Sequence, residues 1–276
     1  MIEPWWASQD GRVVLYCGKC EDVLPTFEPG SIALTVTSPP YDQLRTYQGF
    51  EWDFEATARE LFRVTCEGGL VVWNVGDSVV DGSETLTSFR QAIYFKDACG
   101  FRVHDTMIYE KAGFSIPSTD RYQQAFEYVF VLAKGKPTTF NPIVDKRNIR
   151  AGLPGSFGKC TKRQPDGSQS ERARALTAEF GKRLNVWRGK TAGQENPCQS
   201  IEHPATMPYW LARDHIRSWS NEGDVILDPM AGSGTTLEAA IRCGRNAVGI
   251  EISREYADQI VERMKKLLAQ PTLEMI

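Results

Sequence analysis

Apolar and polar positions follow two rhythms along most of the chain, one with a period of two and one with a period near 3.6. Arg12 to Tyr16 and Ile32 to Val36 are short β-branched runs that predict buried strands. The second run stops at Thr37-Ser38-Pro39-Pro40-Tyr41, where two prolines remove the donors a strand ladder needs. Phe54 to Thr65 has helical spacing, and Gly68-Gly69 then leads into a strand at Leu70 to Val75. Leu86 to Cys99 predicts a helix, followed by strands at Val103 to Tyr109 and Phe126 to Leu132. Near the end come a helix at Met207 to Trp219, a strand at Asp224 to Leu227 and a glycine-containing turn at Asp228 to Thr236. That turn opens a helix reaching about Cys243; a strand at Asn246 to Ile250 and a closing helix at Arg254 to Leu268 complete the series. Alternation of this kind predicts an α/β fold on a parallel or mostly parallel, doubly wound sheet.

The rhythm breaks between Lys134 and Lys190, where the sequence is glycine-rich and polar. Fourteen Lys or Arg stand there against four Asp or Glu, in a chain whose net charge is −3. A local cationic excess inside an acidic chain reads either as a solvated loop or as a surface for a polyanion backbone. The length of 276 residues fits one large domain, or one domain carrying an insertion. The expected division is therefore 1–133, an inserted basic region at 134–200, and 201–276. Apolar residues at 41% and charged residues at 24% exclude a disordered or fibrous chain. Met1 to Gly11 holds no apolar h-region, and stretches such as Leu70 to Trp73 are too short to span a bilayer, so a cytoplasmic protein is expected. Seven cysteines, an odd number, fit reduced thiols. Cys17 and Cys20 form half of a zinc site or a redox pair, but no second pair stands at metal spacing, so no metal is expected.

Two segments carry chemistry. A strand, a glycine loop, a helix and an acid closing the next strand form the arrangement that binds an adenosine-containing cofactor at the carboxyl edge of such a sheet. Here these are Asp228-Pro229-Met230-Ala231-Gly232-Ser233-Gly234-Thr235-Thr236 and Glu251, the acid falling 23 positions after Asp228. The third glycine of a dinucleotide fingerprint is missing, as is a phosphate-cradling lysine, so a dinucleotide or triphosphate fits poorly. Ser38-Pro39-Pro40-Tyr41 is the second segment, readable as a polyproline-like loop or as a site. As a site, its prolines aim the carbonyls near Ser38 and Pro39, with the Ser38 hydroxyl, at one point as acceptors, while Tyr41 offers a flat face to a planar base. Acceptors beside a stacking face suit an exocyclic amino group.

With TSPPY at 37–41, HPATMP at 203–208 and DPMAGSGTT at 228–236 in that order, the chain resembles the permuted, beta-class DNA amino-methyltransferases that use S-adenosyl-L-methionine. The likeness includes Gly68-Gly69 to Asp77 and a stretch from Lys111 through Arg121 to Glu127. The resemblance implies a circularly permuted Rossmann-like methyltransferase fold with an inserted target-recognition region. It implies that Asp228, Gly232, Gly234 and Thr235 hold the methionine end of the cofactor and Glu251 its ribose. Thr37, Pro229 and Met230 complete that pocket, and His203 and Pro204 close it. Ser38, Pro39, Pro40 and Tyr41 would receive the target base. The basic insertion would contact double-stranded DNA, through Lys146, Arg147, Arg150, Lys162, Arg163, Arg172 and Arg174. Two positions depart from the family pattern. Met230 replaces the usual Phe, an apolar exchange. Gly18-Lys19-Cys20 replaces the usual Gly-Asp, leaving Glu21 or Asp22 as substitutes for the adenine-amino contact.

The implied reaction is methyl transfer to the amino nitrogen of a flipped base. A serine at the head of the motif leans toward the 4-amino group of cytosine, with the 6-amino group of adenine as the alternative. An RNA base or a protein amide as substrate, and a non-enzymatic DNA-binding module, are the competing readings. The basic insertion argues against the amide, and the intact Asp228, Glu251 and Ser38 to Tyr41 argue against the module. A cognate restriction endonuclease and a second copy of the chain are open as further partners. Pro197-Cys198-Gln199 matches the nucleophile motif of carbon-5 cytosine methyltransferases, but those have the cofactor loop ahead of the cysteine. His104 and His215 sit within element patterns and are expected to be core or surface residues rather than catalysts.

Overall fold

Each strand–helix unit begins where the sequence supplies a cap or a turn. In the computed structural model, residues 2–41, 52–113, 120–153, 161–163, 168–171, 176–195 and 206–269 are described. The main sheet has nine strands among the described residues: β1 (Trp6–Ala7), β2 (Val13–Cys17), β3 (Ile32–Thr37), β4 (Thr65–Val75), β5 (Arg102–Lys111), β6 (Phe126–Ala133), β7 (Val186–Gly189), β8 (Val225–Asp228) and β9 (Asn246–Glu251). Their spatial order is β1-β2-β9-β8-β3-β4-β6-β5-β7. The run β2-β9-β8-β3-β4 is parallel throughout. β6 lies antiparallel between β4 and β5, and β1 is antiparallel to β2. Strands from the two ends of the chain therefore interleave, as a permuted doubly wound sheet requires.

Helix α1 (Phe54–Val64) starts at Asp53, whose carboxylate accepts the Ala56 N–H at 3.0 Å, and buries Thr57, Ala58, Leu61 and Val64 at helical spacing. α2 (Thr87–Tyr94) starts where the buried Asp77 carboxylate accepts from Ser88 N at 2.8 Å and from Ser88 Oγ at 2.6 Å. α3 (Tyr209–Trp219), α4 (Thr235–Arg242) and α5 (Arg254–Leu268) follow, α5 burying Ala257, Ile260, Val261 and Met264, and one-turn helices stand at Cys20–Val23 and Ala192–Glu195. Between sheet and helices, fully buried Trp73 is ringed by Trp52, Phe54 and Phe95 at 5.0 to 6.1 Å and donates its indole N–H to Gln91 at 2.8 Å.

Three elements differ from the sequence expectation. The helix expected through Cys99 stops at Tyr94 and widens into a π-type turn over Phe95–Cys99, ended by Gly100 at φ +95°. β4 begins at Thr65 because Thr65 pairs with Ile32 ahead of an irregularity that carries Gly68 and Gly69. Val186–Gly189 lies inside the span expected to be inserted, yet it is a strand of the main sheet, paired with β5. Only Trp187 of those four residues is buried, too weak a pattern to read as a strand.

The chain separates into two compact units, 1–141 with 185–276, and 142–184. The smaller unit is narrower than the 134–200 expected from composition. Lys134, one of the cations counted there, belongs to the larger unit and donates to the carbonyls of Phe62 and Thr65 at 2.8 Å, closing the end of α1. No helix among the described residues is long and apolar enough to cross a membrane.

Candidate active site

β3 and β8 are parallel neighbours, so the loops after Thr37 and after Asp228 leave the same edge of the sheet. Thr37 Oγ1 donates to Asp228 Oδ1 at 2.8 Å and ties them together. β9, on the other side of β8, ends at Glu251. Segments far apart in sequence thus converge on one carboxyl edge.

The turn after β8 is shaped by its glycines. Gly232 and Gly234 take φ of +51° and +76°, where a side chain is disfavoured. Ala231 N donates to Ile250 O at 2.8 Å and Gly232 N to Glu251 Oε2 at 2.7 Å, while Met230 N donates to Asp228 Oδ1 at 3.2 Å. Thr235 opens α4, and its hydroxyl pairs with that of Ser233 at 3.0 Å. Arg263 of α5 braces the turn by donating to Ser233 O at 2.7 Å and to Glu238 at 2.6 Å. Met230 packs its side chain on the apolar core.

Asp228 and Glu251 are both buried, and among the described residues neither is ion-paired. Burial pushes Asp228 up to about 6, against the hydrogen bonds from Thr37, Thr236 and Met230. Burial also pushes Glu251 up to about 7, opposed by N–H donors from Ser253 and Gly232 and reinforced by the charge of Asp228. Two buried carboxylates stabilised only by neutral donors form a pocket wall that suits a ligand with cationic groups and hydroxyls. S-adenosyl-L-methionine has both. Next to Glu251, Gly18 N donates to Glu251 O at 3.0 Å and leads through Lys19 into the single helical turn Cys20–Val23. That turn half-buries Glu21 and leaves Asp22 exposed.

On the β3 side, Pro39 is buried and Ser38, Pro40 and Tyr41 are half-buried. Ser38 Oγ and the Tyr41 hydroxyl lie 2.8 Å apart. The phenol donates to Glu127 Oε2 at 3.1 Å, and Asn74 Nδ2 donates to the phenol oxygen and to Glu127 Oε2, each at 2.8 Å. Lys111 Nζ pairs with the other Glu127 oxygen at 2.7 Å. Tyr41's ring packs so near the backbone of Gly76 that a Cβ there would come within 3.3 Å of it. Asn74, Lys111 and Glu127 lie within or at the ends of the segments Gly68 to Asp77 and Lys111 to Glu127 that share the family likeness, but no site role is expected for them from the sequence. The signal was present, since Asn74 is a lone amide in Leu70-Val71-Val72-Trp73-Asn74-Val75 and Glu127 a lone acid heading a strand of apolar residues.

Other expected site residues lie elsewhere. His203, Pro204, Arg172 and Arg174 fall outside the described residues, as does Pro197-Cys198-Gln199. In the smaller unit, Lys146 and Arg147 form an exposed strand paired with Phe180–Gly181, and Arg150 is exposed in the following turn. Thr161–Arg163 pairs with Gln169–Glu171 in a hairpin, which places the backbone of Lys162 and Arg163. Cys17 and Cys20 are free thiols. Cys20 contacts the Thr57 hydroxyl at 3.3 Å, and burial pushes its thiol up to about 12. His215 stacks on Trp187 at 4.4 Å, and His104 meets Trp219 edge-on at 5.7 Å, so both pack against aromatic rings.

The sheet order, the glycine turn with its buried acids and the neighbouring proline-braced loop define a Rossmann-like methyltransferase in permuted order. A family model described as DNA methylase, of the N6/N4 type, matches residues 32–262, and the chain belongs to that family. The chain is 49% identical over 245 residues to the orphan methyltransferase M.BamHII of Bacillus amyloliquefaciens, an alignment covering 86% of this chain and 90% of the relative. Among solved structures, TTHA0409 of Thermus thermophilus in complex with S-adenosyl-L-methionine is similar at a TM-score of 0.61 and 26% identity, covering 95% of this chain and 98% of that one. The cytosine-N4-specific PvuII DNA methyltransferase shares the fold at a TM-score of 0.66 and 19% identity, over 99% of this chain and 91% of its own. The chain is an S-adenosyl-L-methionine-dependent DNA methyltransferase.

Proposed function

We propose that the chain methylates the 4-amino group of cytosine in double-stranded DNA, acting on a base flipped into the edge between β3 and β8. The observation that carries this reading is the Thr37–Asp228 hydrogen bond at 2.8 Å, which sets the Ser38-Pro39 acceptors beside the cofactor turn. S-adenosyl-L-methionine supplies an electrophilic methyl group. Asp228, Gly232, Gly234 and Thr235, with Pro229, Met230 and Thr37 around them, would hold its methionine end. Glu251 would hold the ribose hydroxyls: backbone N–H groups of Gly232, Ser253 and Ile252 take part of its carboxylate's acceptor capacity, and a position is left for a hydroxyl.

Ser38 and the backbone carbonyl of Pro39 accept the two amino hydrogens, which draws the nitrogen toward tetrahedral geometry and frees its lone pair. Positioning of this kind supplies most of the rate, and no covalent enzyme intermediate is needed. Ser38 heads the motif at the position where serine leans toward cytosine and aspartate toward adenine in this family, which supports cytosine; the 6-amino group of adenine is the alternative. Double-stranded DNA is the partner, held by the cations of residues 142–184. A restriction endonuclease or a second copy of the chain is not required by this reading, which is of a cytoplasmic enzyme. Incubation with DNA and labelled S-adenosyl-L-methionine, then digestion to nucleosides and mass spectrometry, tests it. N4-methylcytosine is the expected product, and N6-methyladenine would move the assignment to the alternative.

A further inference from the structure

Hydrogen bookkeeping around Tyr41 gives Glu127 a task that reaches the target base. An ionised carboxylate only accepts, and Glu127 is anchored in place by Lys111 at 2.7 Å and Asn74 at 2.8 Å. The phenol has one hydrogen; at the 3.1 Å contact with Glu127 only the phenol can donate, whereas at the contact with Ser38 either hydroxyl can, so the arrangement that satisfies both contacts sends the phenol hydrogen to Glu127 Oε2. Toward Ser38 the phenol oxygen therefore acts as an acceptor, so across that 2.8 Å contact Ser38 is the donor. With its single hydrogen committed to Tyr41, Ser38 presents lone pairs to an incoming group. Those lone pairs match an amino group, which offers N–H donors, and repel a keto oxygen, which offers only lone pairs.

We propose that Glu127 is a positioning residue that fixes the hydrogen-bond polarity of Ser38 through Tyr41, making the site selective for amino-bearing bases over keto-bearing ones. The inference rests on the amino-methylation reading above and gives it a residue that sets the substrate class. Exchange of Glu127 for Gln breaks the pattern. An amide has one oxygen for two positions that face donors; the Lys111 ammonium, the charged donor, holds that oxygen, so the N–H₂ confronts the Asn74–Tyr41 pair. The phenol is then free to turn toward Ser38.

The test measures kcat and the KM for DNA and for S-adenosyl-L-methionine in wild type, Glu127→Gln, Glu127→Asp, Tyr41→Phe and the Glu127→Gln/Tyr41→Phe double variant. Glu127→Gln is expected to lower kcat roughly tenfold or more with both KM values within about twofold. Glu127→Asp should recover part of the loss. In the Tyr41→Phe background, where the relay is already cut, Glu127→Gln should add little. Full kcat in Glu127→Gln, or losses that multiply in the double variant, would overturn the proposal. If circular dichroism shows Glu127→Gln unfolded, Lys111→Met in the same two backgrounds replaces it. A kcat loss masked by Tyr41→Phe supports the anchor, and a multiplying loss or none rejects it. Absence of any methylated base from wild type would instead defeat the amino-methylation reading.

Discussion

Thr37 Oγ1 donates to Asp228 Oδ1 at 2.8 Å, joining residues 191 positions apart at the ends of two adjacent parallel strands. This one bond carries the consequence of the permuted order. The segment that would receive the base and the turn that would hold the cofactor come from opposite ends of the chain, and strand pairing alone makes them neighbours. It also lowers the cost of burying Asp228, which no cation among the described residues offsets.

Cofactor affinity is expected to depend on pH through Asp228 and Glu251, held at about 6 and about 7. Both folded values lie above the ordinary carboxylate range, so between about pH 4 and about 7 the folded, ligand-free protein binds more protons than the unfolded chain. Its stability contribution from these groups is present at low pH and lost as pH rises through that window. A cationic cofactor favours the ionised forms, so binding releases protons. Affinity should rise by up to roughly a hundredfold between about pH 5.5 and about 7.5, with proton release detected by calorimetry in buffers of different ionisation enthalpy. Glu251→Gln should flatten the profile, and Glu251→Ala should weaken cofactor binding while sparing DNA binding. A pH-independent affinity would remove these carboxylates from the pocket.

Turnover is expected to be more sensitive than DNA affinity to the proline-braced loop. Tyr41→Ala removes both a stacking face and the partner of Ser38, and Pro39→Ala frees the backbone that aims the acceptors. Each should cut kcat roughly tenfold or more while the DNA dissociation constant from gel shift changes little. Wild-type turnover in both variants would end the assignment of the base site to this loop.

Most of the scaffold is legible from hydrophobic rhythm, because strands buried on both faces read as short apolar runs and helices as amphipathic ones. α5, from Arg254 to Leu268, lies where the spacing places it. Both chemical segments are legible too, as irregularities at strand ends. The contacts that join them are not, since Thr37 and Asp228 meet only through sheet order. Asn74 and Glu127 lie within strands and become a network with Tyr41 only when β4 and β6 pair. Val186–Gly189 was hidden because an edge strand with one buried residue leaves no period to read.

Gly69→Ala is expected to destabilise the fold without touching the chemistry. A Cβ at Gly69 would sit 2.7 Å from the carbonyl oxygen of Ala33, a backbone atom that cannot rotate away. Gly69 also lies toward the start of β4, whereas the site lies at its far end. A cost of about 1–3 kcal/mol, seen as a fall of several degrees in thermal midpoint, should accompany a nearly unchanged kcat at low temperature. An unchanged midpoint would show that β3 and β4 can spread apart at this bulge.

Salt dependence separates phosphate contacts from bystander charges in the 142–184 unit. Ten Lys or Arg stand there against four Asp or Glu, but they are not equivalent. Arg183 is engaged with Asp145 at 2.9 Å, and that bond must be weakened before Arg183 can serve a phosphate. Lys146, Arg147 and Arg150 are exposed on a strand and the turn after it. Replacing Lys146 and Arg147 with Ala, or Lys162 and Arg163, should reduce the slope of log affinity against log salt by roughly one unit per lost phosphate contact. Arg183→Ala should reduce it less. Because phosphate contacts carry no base information, affinity should fall alike for all DNA sequences while the methylated position stays the same. Slopes unmoved in both double variants would place the DNA-binding cations outside this unit, and a change of methylated sequence would show that these side chains read bases.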